Sequence, residues 1–137
     1  MSRAVIRSLA VWLLIILAET VHGVLRGLFL VPVVGDLRAR QVGVVVGALI
    51  ILAIAVGSIR WIGARTRIEL LAAGGLWLAL TLAFELLFGR YVAGASWDRL
   101  LSDYDPTQGG YLALGMGVLA LSPLIAAKVR GLPTEPA

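Results

Sequence analysis

The chain has 137 residues and a formal net charge of +4, with 60% hydrophobic residues, 15% charged residues and a mean hydropathy of +0.96. Soluble domains carry about a quarter charged residues, so this composition excludes an ordinary soluble domain. The sequence contains no cysteine, which excludes disulfides and thiolate metal sites. Nucleic acid is not a predicted partner, because the basic residues lie at the ends of apolar runs and form no stripe for a phosphate backbone.

Four apolar segments are long enough to cross the hydrocarbon core, which takes a helix of roughly 20 residues. They are predicted at about residues 5–30, 42–59, 70–89 and 111–127. Backbone groups in lipid must be satisfied within a helix or a closed barrel, and these continuous runs lack the alternation of barrel strands. The sequence therefore predicts an all-α integral membrane four-helix bundle, formed by a single membrane domain over residues 1–137.

The first segment begins like a signal peptide, with Arg3 and Arg7 ahead of an apolar run. No small-residue cleavage site follows, because the run continues through Glu19 and His22 into more apolar sequence. We therefore expect a retained first helix. The connection after it contains Pro32 and several charges, which is typical of a loop.

The third connection contains a short amphipathic pattern. Apolar residues recur there at i, i+3, i+4 and i+7, namely at Trp97, Leu100, Leu101 and Tyr104. The opposite face holds the polar residues Asp98, Arg99, Ser102 and Asp103. The pattern predicts an interfacial helix over about residues 97–104, capped by Ser96, with Trp97 and Tyr104 at headgroup level. Residues 132–137 are predicted to form a short disordered tail.

The basic residues predict how the chain is oriented in the membrane. The side with both termini and the middle turn carries Arg3, Arg7, Arg60, Arg65, Arg67, Lys128 and Arg130. The other side carries Arg26, Arg38, Arg40, Arg90 and Arg99. Cytoplasmic loops hold an excess of basic residues. The sequence thus predicts a multi-pass protein in a lipid bilayer with both termini cytoplasmic.

The two halves of the chain resemble each other. A tryptophan and a later Glu-x-x-x-Gly motif occur in the first half as Trp12, Glu19 and Gly23, and in the second half as Trp77, Glu85 and Gly89. This pattern favours two repeated helical hairpins, a known way to build a bundle around a central site. The alternative is that apolar segments resemble each other by composition alone.

Two carboxylates inside the apolar segments are the main candidates for function. A carboxylate at the bilayer centre costs about 2.5–3.5 kcal/mol on the insertion scale, so it faces the bundle, a water-filled cavity or a partner. Glu19, His22 and Arg26 lie at i, i+3 and i+7, within about 60° on one helix face. The predicted ligand- or proton-binding residues are Glu19, His22, Arg26 and Glu85, with Trp12 and Arg90 as secondary candidates.

Two interpretations of this polar face stay open. It can be a proton or cation relay, since histidine titrates near neutral pH. It can also be a set of ion pairs that locks the first helix to the third. Glu19 and His22 have the spacing of carboxylate-bridged metal centres, but those need two such pairs, so no metal and no cofactor are predicted. No nucleophile–base pair is present either, and we do not expect an enzyme.

The stretch Ile16-Leu17-Ala18-Glu19, followed by Gly23, resembles the first helix of the small multidrug resistance family. Those proteins are four-helix transporters, and the resemblance implies that Glu19 is a coupling carboxylate shared between protons and cationic drugs. This sequence departs from the family by its second intramembrane glutamate, its histidine and arginine, its longer acidic third loop and its lack of the third-helix aromatic pattern. As a whole, the chain resembles small uncharacterised four-helix proteins of bacterial inner membranes.

These features lead to two hypotheses for function. The first is proton- or cation-coupled transport, or small-ligand binding, centred on Glu19. The second is a structural or accessory subunit of a larger membrane complex, whose charges serve as inter-helix ion pairs. The spacings Gly23-x-x-x-Gly27 and Gly43-x-x-x-Gly47 favour close helix packing, within a bundle, a homodimer or a larger membrane complex.

Overall fold

The computed structural model describes residues 2–133. Within them, four helices are long and apolar enough to cross a membrane: α1 (Arg3–Val34), α2 (Asp36–Ile62), α3 (Arg67–Tyr91) and α5 (Leu112–Val129). A short helix, α4 (Trp97–Ser102), and a 3-10 turn (Pro106–Gln108) lie between α3 and α5. The prediction of an all-α, multi-pass membrane bundle is confirmed. The end of the predicted tail, residues 134–137, lies outside the described residues.

Side-chain oxygens cap three of the helices at their N-termini. The hydroxyl of Ser2 accepts a hydrogen bond from the backbone of α1, Thr66 caps α3, and Ser96 caps α4 as the sequence predicted. Each cap satisfies one of the backbone N–H groups that a helix leaves without an internal partner. The local sequence thus fixes where these helices begin.

The first connection is much shorter than the predicted loop. Pro32 does not end the helix, because it lies within α1, in the helical segment Val31–Val34 that continues directly from the preceding turn. Only Gly35 interrupts the helix, with φ +87°, a conformation that favours glycine. Helix α2 then begins at Asp36, well before residue 42, because Asp36 suits a first helical turn and pairs with Arg40 one turn later.

Helix α1 changes its winding close to its polar face. Residues Arg26–Leu30 form a π-helical turn, in which the Val31 N–H donates to the Arg26 carbonyl. Such turns are rare and often lie at functional sites. The turn begins at Arg26, one of the predicted site residues, so the irregular backbone and the polar face coincide.

The four long helices pack as a ring in the order α1, α2, α5, α3. In this ring α1 lies next to α3, and α2 lies next to α5. A two-fold axis along the membrane normal between two hairpins would instead place α1 diagonally opposite α3 and α2 diagonally opposite α5. The ring order therefore lends no support to the repeated hairpins that the sequence favoured.

The half of the ring near the chain termini is closely packed. The indole of Trp77 is fully buried, and its N–H donates to the Ser8 carbonyl of α1 over 2.8 Å. On the other side of the ring, a Cβ atom at Gly74 would lie 1.8 Å from the Ala120 carbonyl oxygen, so the backbones of α3 and α5 touch there. Small residues permit such approach where packing, not hydrophobicity, holds helices together in lipid.

Helix α4 lies where the sequence predicted a short interfacial helix, and it folds back onto the bundle. Leu100 packs against Gly89, and Tyr104 packs on the core with its hydroxyl buried. Asp103, which the sequence assigned to the solvent face, is only 19% exposed. Trp97 and Leu101 stay exposed. Contacts with other helices position this segment, and the periodicity of its own sequence does not predict those contacts.

Candidate functional site

A cavity of about 460 Å³ lies between the helices at the α4 end of the ring. All four long helices contribute to its wall, together with residues of the segment 93–110. Its volume is in the range of pockets that hold small molecules, roughly 300–1,000 Å³. The four predicted site residues, Glu19, His22, Arg26 and Glu85, all line it.

Glu19 projects from α1 into the cavity and is close to His22. The His22 Nδ1 atom lies 3.7 Å from one carboxylate oxygen of Glu19, Oε2. The other oxygen, Oε1, is buried and has no hydrogen-bond partner. Buried polar atoms normally have a partner, and an exception calls for an explanation, such as a bound water, ion or ligand.

Gly47 of α2 makes room for this carboxylate. A Cβ atom at Gly47 would lie 2.9 Å from Oε2 and 3.3 Å from Oε1 of Glu19. Gly43, one turn earlier, does the same for Arg26, because a Cβ atom there would lie 2.9 Å from Nη1 of the guanidinium. The small-residue spacing that predicted close helix packing therefore accommodates two charged side chains.

Arg26 and Glu85 both line the cavity, and neither is part of an ion pair within residues 2–133. Glu85 comes from α3 and lines the same cavity as Glu19, Arg26 and Asp103. Within the described chain, no three Asp, Glu, His or Cys side chains come together in a set that can hold a metal ion. The cavity thus brings two carboxylates, an imidazole and a guanidinium together.

Four further charged residues lie together at the end of the cavity next to α4, which we call its outer end, and the sequence did not predict this cluster. Arg40 of α2 donates to Asp36 over 3.0 Å and also to Asp103. Arg99 of α4 donates to both oxygens of Asp103 over 3.0 Å and lies 3.5 Å from Asp36. We call these four residues the ion-pair network. The i, i+4 spacings Asp36–Arg40 and Arg99–Asp103 were the available signal, but they did not show that the two pairs would meet.

One uncharged contact and one buried phenol lie at the same end. Gln41 donates to the Gly109 carbonyl over 2.9 Å, which ties α2 to the segment before α5. The hydroxyl of Tyr104 is buried without a partner. Burial raises the pKa of Tyr104 to about 12, with smaller contributions from the charges of Glu85 and Asp103. This phenol therefore stays neutral at physiological pH.

The two secondary candidates from the sequence lie outside the cavity wall. The indole N–H of Trp12 donates to the Thr81 hydroxyl over 3.0 Å and joins α1 to α3. Arg90 donates to the Ala95 carbonyl over 3.3 Å and lies over the ring of Trp97. Neither residue lines the cavity, although Thr81, which accepts the hydrogen bond from Trp12, does.

The cavity also reaches the outer surface between α1 and α3. Its wall includes Thr20 and Val24 of α1 and Phe88 of α3, and all three are exposed. Phe88 stacks on Phe84 with ring centroids 5.1 Å apart, so this side of the opening is lined by aromatic rings. In a membrane, an opening on this flank faces lipid.

Fold and cavity together define a multi-pass membrane bundle with an internal polar cavity. Comparison with protein-family models, with curated proteins and with solved structures finds no match for this chain. The case for a particular function therefore rests on the geometry of the cavity.

Proposed function

We propose that this protein binds a small charged solute in the cavity and couples the binding to protonation of Glu19, as a step in proton- or cation-coupled transport. The observation that carries the proposal is the Glu19 carboxylate, which lines the cavity with one oxygen unpartnered. A carboxylate that served only as an inter-helix ion pair would have a basic partner, and among residues 2–133 the nearest is His22 at 3.7 Å.

The charges that line the cavity support the uptake of one proton or one cation. Arg40 and Arg99 are paired within the ion-pair network. Of the other charged groups in the cavity wall, the carboxylates of Glu19 and Glu85 carry two negative charges, and the guanidinium of Arg26 carries one positive charge. One proton or one further positive charge makes these three groups neutral together, and uncompensated charge in a poorly solvated place is costly. His22, beside Glu19, offers a group that accepts and donates protons near neutral pH.

The proposal predicts that Glu19 titrates with the bulk water in the folded protein. In lipid vesicles, infrared difference spectra recorded over a range of pH should show a carboxyl band that disappears in Glu19→Gln. Glu69→Gln is the matched control, because Glu69 is exposed at the opposite end of the bundle and lies outside the cavity. It should leave the band unchanged.

Glu19→Asp keeps the test decisive if the glutamine variant does not fold. It retains the acid on a shorter side chain, so the titrating band should persist with a changed midpoint. A band that is the same in wild type and Glu19→Gln would contradict the proposal. A second outcome would also contradict it. If Glu19→Gln fails to accumulate in the membrane, and Glu19→Asp folds but shows no titrating band, then the carboxylate is structural.

The ion-pair network favours a second function, that of a structural or accessory subunit in a larger membrane complex. In this network charged side chains do hold elements together, since Arg40 joins α2 to Asp103. Glu19, Arg26 and Glu85 are not part of it, which is why we prefer the first function. An infrared experiment in which the Glu19 carboxyl group does not titrate would favour this alternative.

We also propose that the protein lies in a bacterial inner membrane with both termini in the cytoplasm. The support is the excess of basic residues at the end of the bundle that holds the termini and the turn between α2 and α3.

A further inference from the structure

We infer that the ligand of this cavity is a zwitterionic amphiphile, whose head group carries an ammonium and a phosphate and whose hydrocarbon chain leaves between α1 and α3. The inference rests on the proposed function, because it names the class of solute for the same cavity. Three observations carry it: the unpaired guanidinium, the unpaired carboxylates and the opening towards lipid.

Arg26 is the reason for an anionic group on the ligand. Its guanidinium lies in the cavity wall against Gly43 and takes part in no ion pair within residues 2–133. A site for a plain cation gains nothing from an arginine, since the guanidinium repels the ligand. A planar guanidinium matches the geometry of phosphate and binds it through two parallel hydrogen bonds.

Glu85 is the reason for an ammonium group. Its carboxylate lines the cavity from α3 and has no basic partner in the described chain, and the charge of Arg26 acts on it. A ligand with both charges satisfies Arg26 and Glu85 at once. Such a ligand adds no net charge, so it binds together with the proton that balances Glu19 in the proposed function and does not replace that proton.

The charged groups that face the head group come from all the surrounding helices except α5, whose lining residues are glycine and apolar side chains. They are Glu19, His22 and Arg26 on α1, Arg40 on α2, Glu85 on α3, and Arg99 and Asp103 at α4. Arg40, Arg99 and Asp103 are occupied in the ion-pair network, which lies across the outer end of the cavity. The groups outside the ion-pair network are therefore Glu19, His22, Arg26 and Glu85, and they are the ones left to bind the head group.

The opening between α1 and α3 is the reason for a hydrocarbon chain. Val24 and Phe88 are 56% and 42% exposed and also line the cavity, so apolar surface continues from the polar chamber to the lipid-facing flank. A head group in the chamber can keep its chain in the bilayer through this opening. The ligand then exchanges with the membrane without passing the ion-pair network.

Binding of phosphatidylethanolamine to the purified full chain in a sugar-based detergent tests the inference, with native mass spectrometry as the readout. Arg26→Gln and Glu85→Gln should each weaken binding about tenfold or more, since each removes a charge-assisted contact. Arg38→Gln and Glu69→Gln are the matched controls, because both residues are exposed and lie outside the cavity. They should bind like wild type.

A cationic diacyl lipid with a trimethylammonium head and no phosphate separates the two contacts. Glu85→Gln should weaken its binding, whereas Arg26→Gln should not, and a general loss of structure would not produce this difference. The inference is overturned if Arg26→Gln binds phosphatidylethanolamine as Arg38→Gln does, or if phosphatidylglycerol binds as tightly as phosphatidylethanolamine. Free phosphoethanolamine that binds as tightly as the lipid overturns the role of the opening.

The lipid experiment and the infrared experiment fail independently. Loss of lipid selectivity with a titrating Glu19 overturns the ligand class and leaves the proposed function standing. If Glu19 shows no infrared titration and the lipid selectivity is intact, the proton coupling is overturned and the lipid-binding cavity remains.

Discussion

At Gly43 and Gly47, the missing side chains of α2 leave space for charged groups of α1. The Arg26 guanidinium and the Glu19 carboxylate occupy the positions that alanine methyl groups would take. Gly74 is different, since its neighbour is the backbone of Ala120. Helical glycines thus serve two purposes in this bundle, to make room for a charged side chain and to let two backbones touch. Only the atoms opposite each glycine show which purpose it serves.

This difference predicts opposite outcomes for two alanine substitutions. Gly47→Ala should displace the flexible Glu19 side chain and shift the infrared titration midpoint, with unfolding free energy changed by less than about 1 kcal/mol, as a helical alanine offsets the crowding. Gly74→Ala should instead destabilise the bundle by about 1–3 kcal/mol or more, because a backbone carbonyl 1.8 Å away has to move.

Unfolding in mixed micelles of denaturing detergent measures both stabilities. Gly75→Ala is the control, because a Cβ atom there meets nothing within 4 Å. It should leave the stability and the titration of Glu19 close to wild type. An unchanged titration midpoint in Gly47→Ala would show that the Glu19 carboxylate does not depend on this space.

Among the elements, α4 depends most on contacts with the rest of the chain. It has only six residues, which is far below the length at which an isolated helix is stable in water. Its cap at Ser96, the packing of Leu100 and the pairing of Asp103 with Arg40 hold it in place. The segment at the outer end of the cavity is thus anchored by a cap, by apolar packing on α3 and by the ion pairs of Asp103.

Removing the charge of Asp103 should loosen this segment. Asp103→Asn breaks strong contacts with Arg40 and Arg99 at a position that is 19% exposed, which costs roughly 1–3 kcal/mol of local stability. Backbone amides of residues 97–108 should then exchange with deuterium about tenfold faster or more, while α2 and α3 keep their protection. Hydrogen exchange with mass spectrometry makes the measurement.

Asp98→Asn provides the comparison for this element. Asp98 lies in the first turn of the same helix, is exposed and forms no ion pair within residues 2–133. It should leave exchange nearly unchanged. Equal exchange in Asp103→Asn and wild type would mean that packing alone anchors the segment.

Over the whole molecule, the ring divides into a packed half and a half that contains the cavity. The packed half has the fully buried Trp77 and the chain termini. The other half has the charges of the site and the ion-pair network. A rigid half next to an open half suits a protein that exchanges a ligand at one end of the bundle.

The orientation of this ring is open to direct measurement, because the chain contains no cysteine. Single cysteines at Ser2 and Thr107 mark the two ends of the bundle, and both positions are exposed. In spheroplasts, a membrane-impermeant maleimide should label Thr107→Cys directly and Ser2→Cys only after the membrane is permeabilised, because basic residues stay cytoplasmic. The reverse pattern would invert the proposed topology.

The sequence alone determined the parts of this protein that depend on local order. Four spans follow from the length of each apolar run, since every backbone group in lipid has to be satisfied within its own helix. The shared face of Glu19, His22 and Arg26 follows from helical periodicity, and all three line the cavity. The cap at Ser96 follows from local chemistry in the same way.

Only the tertiary structure decided which of these surfaces meet. It placed Glu85 in the same cavity as Glu19, joined Arg40 to Asp103 across 63 positions of the chain, and left Trp12 and Arg90 outside. Helix periodicity shows which side chains share a face, but it does not show which helix lies opposite. That choice follows from how side chains and small residues of different helices fit together, and no single segment contains this information.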